Sequence, residues 1–133
     1  MKIDNSKYDE TGQLKNGWFK QYFKDGSVAC EGGYSNGERT GEWKFYLVNG
    51  LVKAFGNFEN GKMTGEWNWF WASGKLWQTG SFTEERKSGL WKRYYENGIL
   101  WDEGECRDNN KIGIWKTYDQ EGNLVKTQTF KIK

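Results

Sequence analysis

The sequence predicts an all-β protein: an elongated antiparallel meander of five 24-residue β-hairpin repeats, laid out as a single-layer twisted sheet. Three observations carry that expectation. The chain repeats itself every 24 residues without insertion or deletion, and repeat periods of this size mark stacked arrays. Each unit holds turn residues at two places, with Asn-Gly the strongest short hairpin signal. Between the turns, apolar and polar residues alternate with the period of a strand.

Residues 41–58, GEWKFYLVNGLVKAFGNF, show the unit most clearly. A two-residue type I′ turn at Asn49-Gly50 sets Val48 against Leu51, and the register follows by counting outwards. Gly41 then faces Phe58, Trp43 faces Gly56, Phe45 faces Ala54 and Leu47 faces Val52, all on one apolar side. The other side holds Glu42–Asn57, Lys44–Phe55 and Tyr46–Lys53. A large ring opposite a glycine covers backbone that the glycine leaves bare.

The other units follow in register. Gly17, Gly41, Gly65, Gly89 and Gly113 open them, and Phe19, Trp43, Trp67, Trp91 and Trp115 come two residues later. The turn glycines are Gly26, Gly50, Gly74, Gly98 and Gly122. A further glycine recurs at Gly32, Gly56, Gly80 and Gly104, with Gln128 in its place in the fifth unit. The whole of 1–133 is expected to form one domain, with a partial N-terminal cap at 1–16 and repeats at 17–40, 41–64, 65–88, 89–112 and 113–133. Residues 8–14 resemble the turn half of a unit. The segments between units, such as Asn36-Gly37 and Asn60-Gly61, are expected to be hairpin connections as well, giving ten or eleven strands and no helix. The lysine-rich last strand resists pairing with another chain.

The apolar faces are unequal. Unit three offers Trp67, Trp69, Trp71, Leu76, Gly80 and Phe82, whereas unit four sets Arg93 against Asp102. Unit five sets Thr117 against Lys126 and Asp119 against Leu124. A single-layer sheet must cover such a face by curling, dimerising or binding.

Composition narrows the functional classes. Disordered chains are poor in aromatics, and 18% aromatic content argues for a packed fold despite 29% charge. A net charge of +2 is too small to point to nucleic acid or an anionic membrane. No apolar stretch has the length of a signal peptide core or a membrane span, so the chain is expected to be soluble, and cytoplasmic if Met1 is its start. Cys30 and Cys106 stand about six strands, ~30 Å, apart, beyond disulfide reach, and read as buried inert thiols.

Histidine is absent, which removes the commonest general base and metal ligand. No Gly-rich phosphate loop in a strand–helix context is present, and a zinc site from two distant cysteines does not fit tetrahedral ligation. Glu103 falls opposite Lys92, which reads as a cross-strand pair. The expectation is therefore a non-enzyme with no cofactor and no metal.

The second face carries the column Tyr22, Tyr46, Phe70, Tyr94, Tyr118, with Trp77 opposite Phe70 and Trp101 opposite Tyr94. Aromatics there serve as strand formers, but the repeat does not require tryptophan at these two places, where other units have Ala29, Lys53 and Val125. Trp77, Trp101, Phe70, Tyr94 and Tyr46 are accordingly the candidate binding residues. Another protein is the expected partner. A homodimer and phospholipid are alternatives, and nucleic acid is disfavoured because Glu31 and Glu103 offset the lysines.

The patterns GEW-x-x-Y-x-x-x-G and G-x-Y/F-x-NGK, in residues 34–50 and 58–74, give the chain a resemblance to MORN-repeat proteins, and within them to bacterial proteins grouped as YwqK-like antitoxins. It covers roughly residues 8–130, with departures at Glu85-Arg86, Asn109-Asn110 and Gln128. The resemblance implies an elongated β-sheet serving as a non-enzymatic protein-interaction scaffold, with an antitoxin-like role and phospholipid binding among the family's attributes. The alternative is a ligand-binding module whose aromatic–lysine face takes lipid headgroups, carbohydrate or single-stranded nucleic acid.

Overall fold

Ten strands in the computed structural model, which describes residues 7–132, form one open antiparallel sheet in sequence order, with β1 and β10 at its edges. They are β1 Gly17–Tyr22, β2 Val28–Ser35, β3 Glu38–Tyr46, β4 Val52–Glu59, β5 Lys62–Phe70, β6 Leu76–Thr83, β7 Arg86–Tyr94, β8 Leu100–Arg107, β9 Asn110–Tyr118 and β10 Leu124–Phe130. An isolated bridge between Tyr8 and Leu14 forms the N-terminal cap. Residues 1–6 of the expected cap and Lys133 lie outside the described residues. No helix among the described residues is long and apolar enough to cross a membrane.

Two kinds of turn alternate. Between hairpins the loops have two residues, both in the left-handed region: Asn36 (φ 49°) with Gly37 (82°), Asn60 (52°) with Gly61 (78°), Glu84 (50°) with Glu85 (66°), and Asp108 (50°) with Asn109 (71°). That is the signature of a type I′ turn. Within hairpins the loops have three residues. Gly50 N–H donates to Leu47 O (2.9 Å) and Leu47 N–H to Leu51 O (2.8 Å), and Gly50 alone takes positive φ (88°). The Asn49-Gly50 turn is thus a type I turn closed by a left-handed glycine, not the expected two-residue turn. Asn49 keeps a turn role, since its Oδ1 accepts from Leu51 N–H at 2.9 Å.

The longer loop shifts the ladder. Pairing runs as expected from Gly41↔Phe58 to Phe45↔Ala54, then slips to Tyr46↔Val52 and leaves Lys53 unpaired. Tyr46 does not face Lys53, nor Leu47 Val52. The same slip recurs in all five hairpins, leaving Ala29, Trp77, Trp101 and Val125 as the extra residue of a β-bulge. In the fifth, Thr117 faces Lys126 as expected, but Leu124 pairs with Tyr118 rather than Asp119.

The core lies on one face. Trp43 and Trp67 are its largest fully enclosed side chains, joined by Trp91, Trp115, Tyr34, Phe58, Cys30 and Cys106. Both cysteines are free and buried, and burial pushes their thiols above the ordinary value. Rings meet edge to face along the array: Phe19–Tyr34 at 5.4 Å, Tyr34–Trp43 at 5.2 Å, Trp43–Phe58 at 6.1 Å and Phe58–Trp67 at 5.2 Å. Each indole lies over a glycine of the preceding unit: Trp43 over Gly32, Trp67 over Gly56, Trp91 over Gly80 and Trp115 over Gly104. The indole N–H groups of Trp43, Trp67 and Trp115 donate to the carbonyls of Gly33, Asn57 and Glu105 in those same preceding strands. Trp67 therefore packs over Gly56, not over its hairpin partner Gly80.

Candidate functional site: the indole column and its cation cover

The five candidate residues from the sequence do not form one patch. Phe70 pairs with Leu76 and Tyr94 with Leu100, not with the tryptophans. Phe70 stacks on Phe55 of the preceding hairpin at 5.8 Å. The Tyr94 carbonyl accepts the Trp71 indole N–H at 3.1 Å. Tyr46 donates its hydroxyl to Glu31 Oε2 at 2.6 Å, and that bond raises its phenol to about 12. Trp77 lies against Trp71 at 5.5 Å, and its buried Nε1 has no hydrogen-bond partner among the described residues. Trp101 stacks on Tyr95 at 5.2 Å and lies 3.9 Å from the Arg93 guanidinium carbon. The bulge is the cause. An extra residue re-aims its side chain relative to the regular alternation, so each tryptophan joins an aromatic at its own turn rather than the tyrosine column.

Glu103 stands opposite Lys92 as expected, and also opposite Lys116. Among the described residues neither lysine comes within ion-pair distance of it, and its Oε2 accepts from Tyr118 instead, at 3.2 Å.

A feature missed in the sequence covers the indoles. Lys15, Arg39, Lys87 and Lys111 share one repeat position, with Met63 at the same place in the middle unit. The Lys15 ammonium lies 4.8 Å above the Tyr34 ring, the Arg39 guanidinium 4.7 Å above Trp43, the Lys87 ammonium 4.8 Å above Trp91 and that of Lys111 4.6 Å above Trp115. Cations over ring faces gain from the ring quadrupole, and their stems shield the rings from water. The 24-residue recurrence of a basic residue was the available signal.

Between the indoles runs a second column. Phe45 sits 6.2 Å from both Trp43 and Trp67. Trp69 sits 6.1 Å from Trp67 and 5.7 Å from Trp91. The next member is Arg93, which binds Asp102 through two bonds, Nε–Oδ1 at 3.1 Å and Nη2–Oδ2 at 2.6 Å. That pairing was legible in the sequence, and the bond to Asp102 raises the guanidinium's already high value further. A hollow of about 250 Å³ opens here, lined by Trp91, Trp115, Lys87, Lys111, Arg93 and Gln78 among others.

A separate groove of about 530 Å³ is lined by Leu90, Ile112, Ile114 and Ile132 together with Glu103, Glu105, Arg107 and Lys116. Leu90 and Ile114 occupy one repeat position and are 51% and 59% exposed. In β7 and β9 they alternate with the buried Trp91 and Trp115, so they project from the face opposite the indole column.

Among the described residues no three His, Cys, Asp or Glu side chains gather as metal ligands would. No curated protein matches the chain. Residues 63–84, 87–106 and 111–131, together just under half of the chain, match the family described as MORN repeat variant. Each match begins at or beside the cover position, at Met63, Lys87 and Lys111, and takes in one hairpin from there. Hairpins three to five of this sheet are thus the part of the chain that is similar to the MORN repeat variant.

Proposed function

We propose that this chain is a non-enzymatic interaction scaffold that binds another protein through the sheet face opposite its indole column. MORN repeats are generally interaction modules, which supports the class of function. The observation that carries the choice of surface is the exposed pair Leu90 and Ile114 on one groove. On the other face the rings pack on one another beneath their cation cover and leave open the hollow beside Arg93, whereas these two branched side chains gain nothing from staying in water. A groove that sets these apolar side chains beside Glu103, Glu105 and Lys116 combines the apolar and polar groups that contact surfaces use. An antitoxin-like role is the finer form of this reading and is supported by the family likeness alone. In that form the partner is a toxin, neutralised when the two proteins are co-expressed.

The test is capture of the partner from the native host by wild type and by Leu90→Asp/Ile114→Asp. Exposed substitutions of this kind leave stability nearly unchanged. The partner is expected to be lost by the variant at an unchanged melting temperature, and retained by Trp77→Ala/Trp101→Ala. Retention by the first variant and loss by the second would move the contact surface to the tryptophans singled out in the sequence. A wild-type dimer in sedimentation that dissociates in the first variant would make the patch a self-association interface.

A further inference from the structure

We infer that the hollow between Trp91 and Trp115 is a binding site for a flat aromatic ring carrying a carboxylate. The argument begins with the ring column beside the indoles. Phe45 fills the space between Trp43 and Trp67, tilted 30° and 34° to them. Trp69 fills the space between Trp67 and Trp91 at 31° and 32°. The fold thus places a tilted ring between two of the three successive pairs of indoles. Between Trp91 and Trp115 the chain supplies Arg93 instead, and Asp102 and Trp101 hold that guanidinium aside. The space left between the two indoles is the hollow. A planar ring entering it would repeat a packing that the same sheet already makes twice.

Charge selects the substituent. Lys87 and Lys111 stand over the two indoles and line the hollow, and among the described residues neither has a carboxylate within ion-pair distance. The Asp102 carboxylate, 8% exposed, is occupied by Arg93. The middle unit, where Trp69 completes the column, carries Met63 in place of the lysine. An anionic group at the edge of the ring would meet two ammonium groups in charge-assisted contact, while Gln78 offers an amide to its side. This site lies on the face opposite Leu90 and Ile114, so its failure and the failure of the scaffold surface are separate results.

The experiment is calorimetric titration of the full chain with naphthoate, alongside naphthamide and cyclohexanecarboxylate. Saturable binding of naphthoate, about tenfold or more tighter than either comparison compound, is expected. Arg93→Trp/Asp102→Gln installs at this place the Trp69–Gln78 pair of the preceding unit. It is expected to abolish binding while the melting temperature holds or rises. Should that variant fail to fold, Lys87→Met/Lys111→Met leaves the rings in place and is expected to bring naphthoate down to the affinity of naphthamide. Absence of naphthoate binding at millimolar concentration overturns the assignment. So does equal affinity for the amide, or binding that survives the filled hollow or the loss of both lysines.

Discussion

Trp67 closes over Gly56, the glycine of the hairpin before its own, and a Cβ built at Gly56 would overlap the indole. The contact joins two repeats rather than two strands of one hairpin. Overfilling a packed site typically costs ~1–3 kcal/mol, and Gly56→Val is expected at or above the top of that range. A double-mutant cycle identifies the partner. Trp67→Leu is expected to relieve much of the cost of Gly56→Ala, and Trp43→Leu to relieve none. Relief by Trp43→Leu alone would return the contact to the hairpin's own tryptophan.

Trp67→Ala should cost ~3–5 kcal/mol as a large core truncation, because the residue is only 2% exposed. Trp77→Ala should cost clearly less, since Trp77 is half-buried at a bulge and its truncation also removes an unsatisfied indole N–H. Chemical denaturation of both variants is the check, and equal losses would count against the division of roles.

Glu84 and Glu85 hold φ of 50° and 66°, a region that costs residues with a Cβ roughly 1–2 kcal/mol each. Glu84→Asn/Glu85→Gly installs the pair already used at Asn60-Gly61 and is expected to stabilise the protein by ~1–2 kcal/mol. An unchanged melting temperature would mean that the two glutamates do not carry that strain in solution.

Tyr46 gives a pH signature. Its hydroxyl donates to Glu31 Oε2, and the phenol is raised to about 12, against ~10 in an unfolded chain. Because the folded value is the higher one, the bond's contribution is whole below pH ~10 and is lost as pH rises through about 12. The phenolate absorbance difference between wild type and Tyr46→Phe should therefore titrate at about 12. A midpoint near ~10 would show that the bond to Glu31 is not held.

The period, the strand order and the pairing from Gly41↔Phe58 to Phe45↔Ala54 were legible because glycine and large rings leave few ways to fit together. The bulge was not, because Asn49-Gly50 and Asn60-Gly61 are the same dipeptide in two different turns. What separates them is the rest of the repeat. Gly26, Gly50, Gly74, Gly98 and Gly122 never vary while the residue before them does, as expected where only one residue takes positive φ. Missing that distinction set Trp77 against Phe70 and Trp101 against Tyr94, and so drew a patch that the sheet does not form. The cation cover escaped notice because basic residues on a charged chain read as solvated surface, and only their ring partners reveal Lys15, Arg39, Lys87 and Lys111 as a column. The hollow was half legible: the sequence sets Arg93 against Asp102, and in the sheet that pair stands where the two preceding units place a ring between indoles.

Indoles closing over glycines of the unit before them give the array a direction. Every hairpin hands its successor a bare backbone position, at Gly32, Gly56, Gly80 and Gly104 in turn. The fifth hands on Gln128, which pairs with Trp115 where a glycine would stand. A sixth hairpin docking in the same way would have to set its tryptophan on that side chain. Gln128→Gly is the change that would give the fifth hairpin the bare position that the other four present.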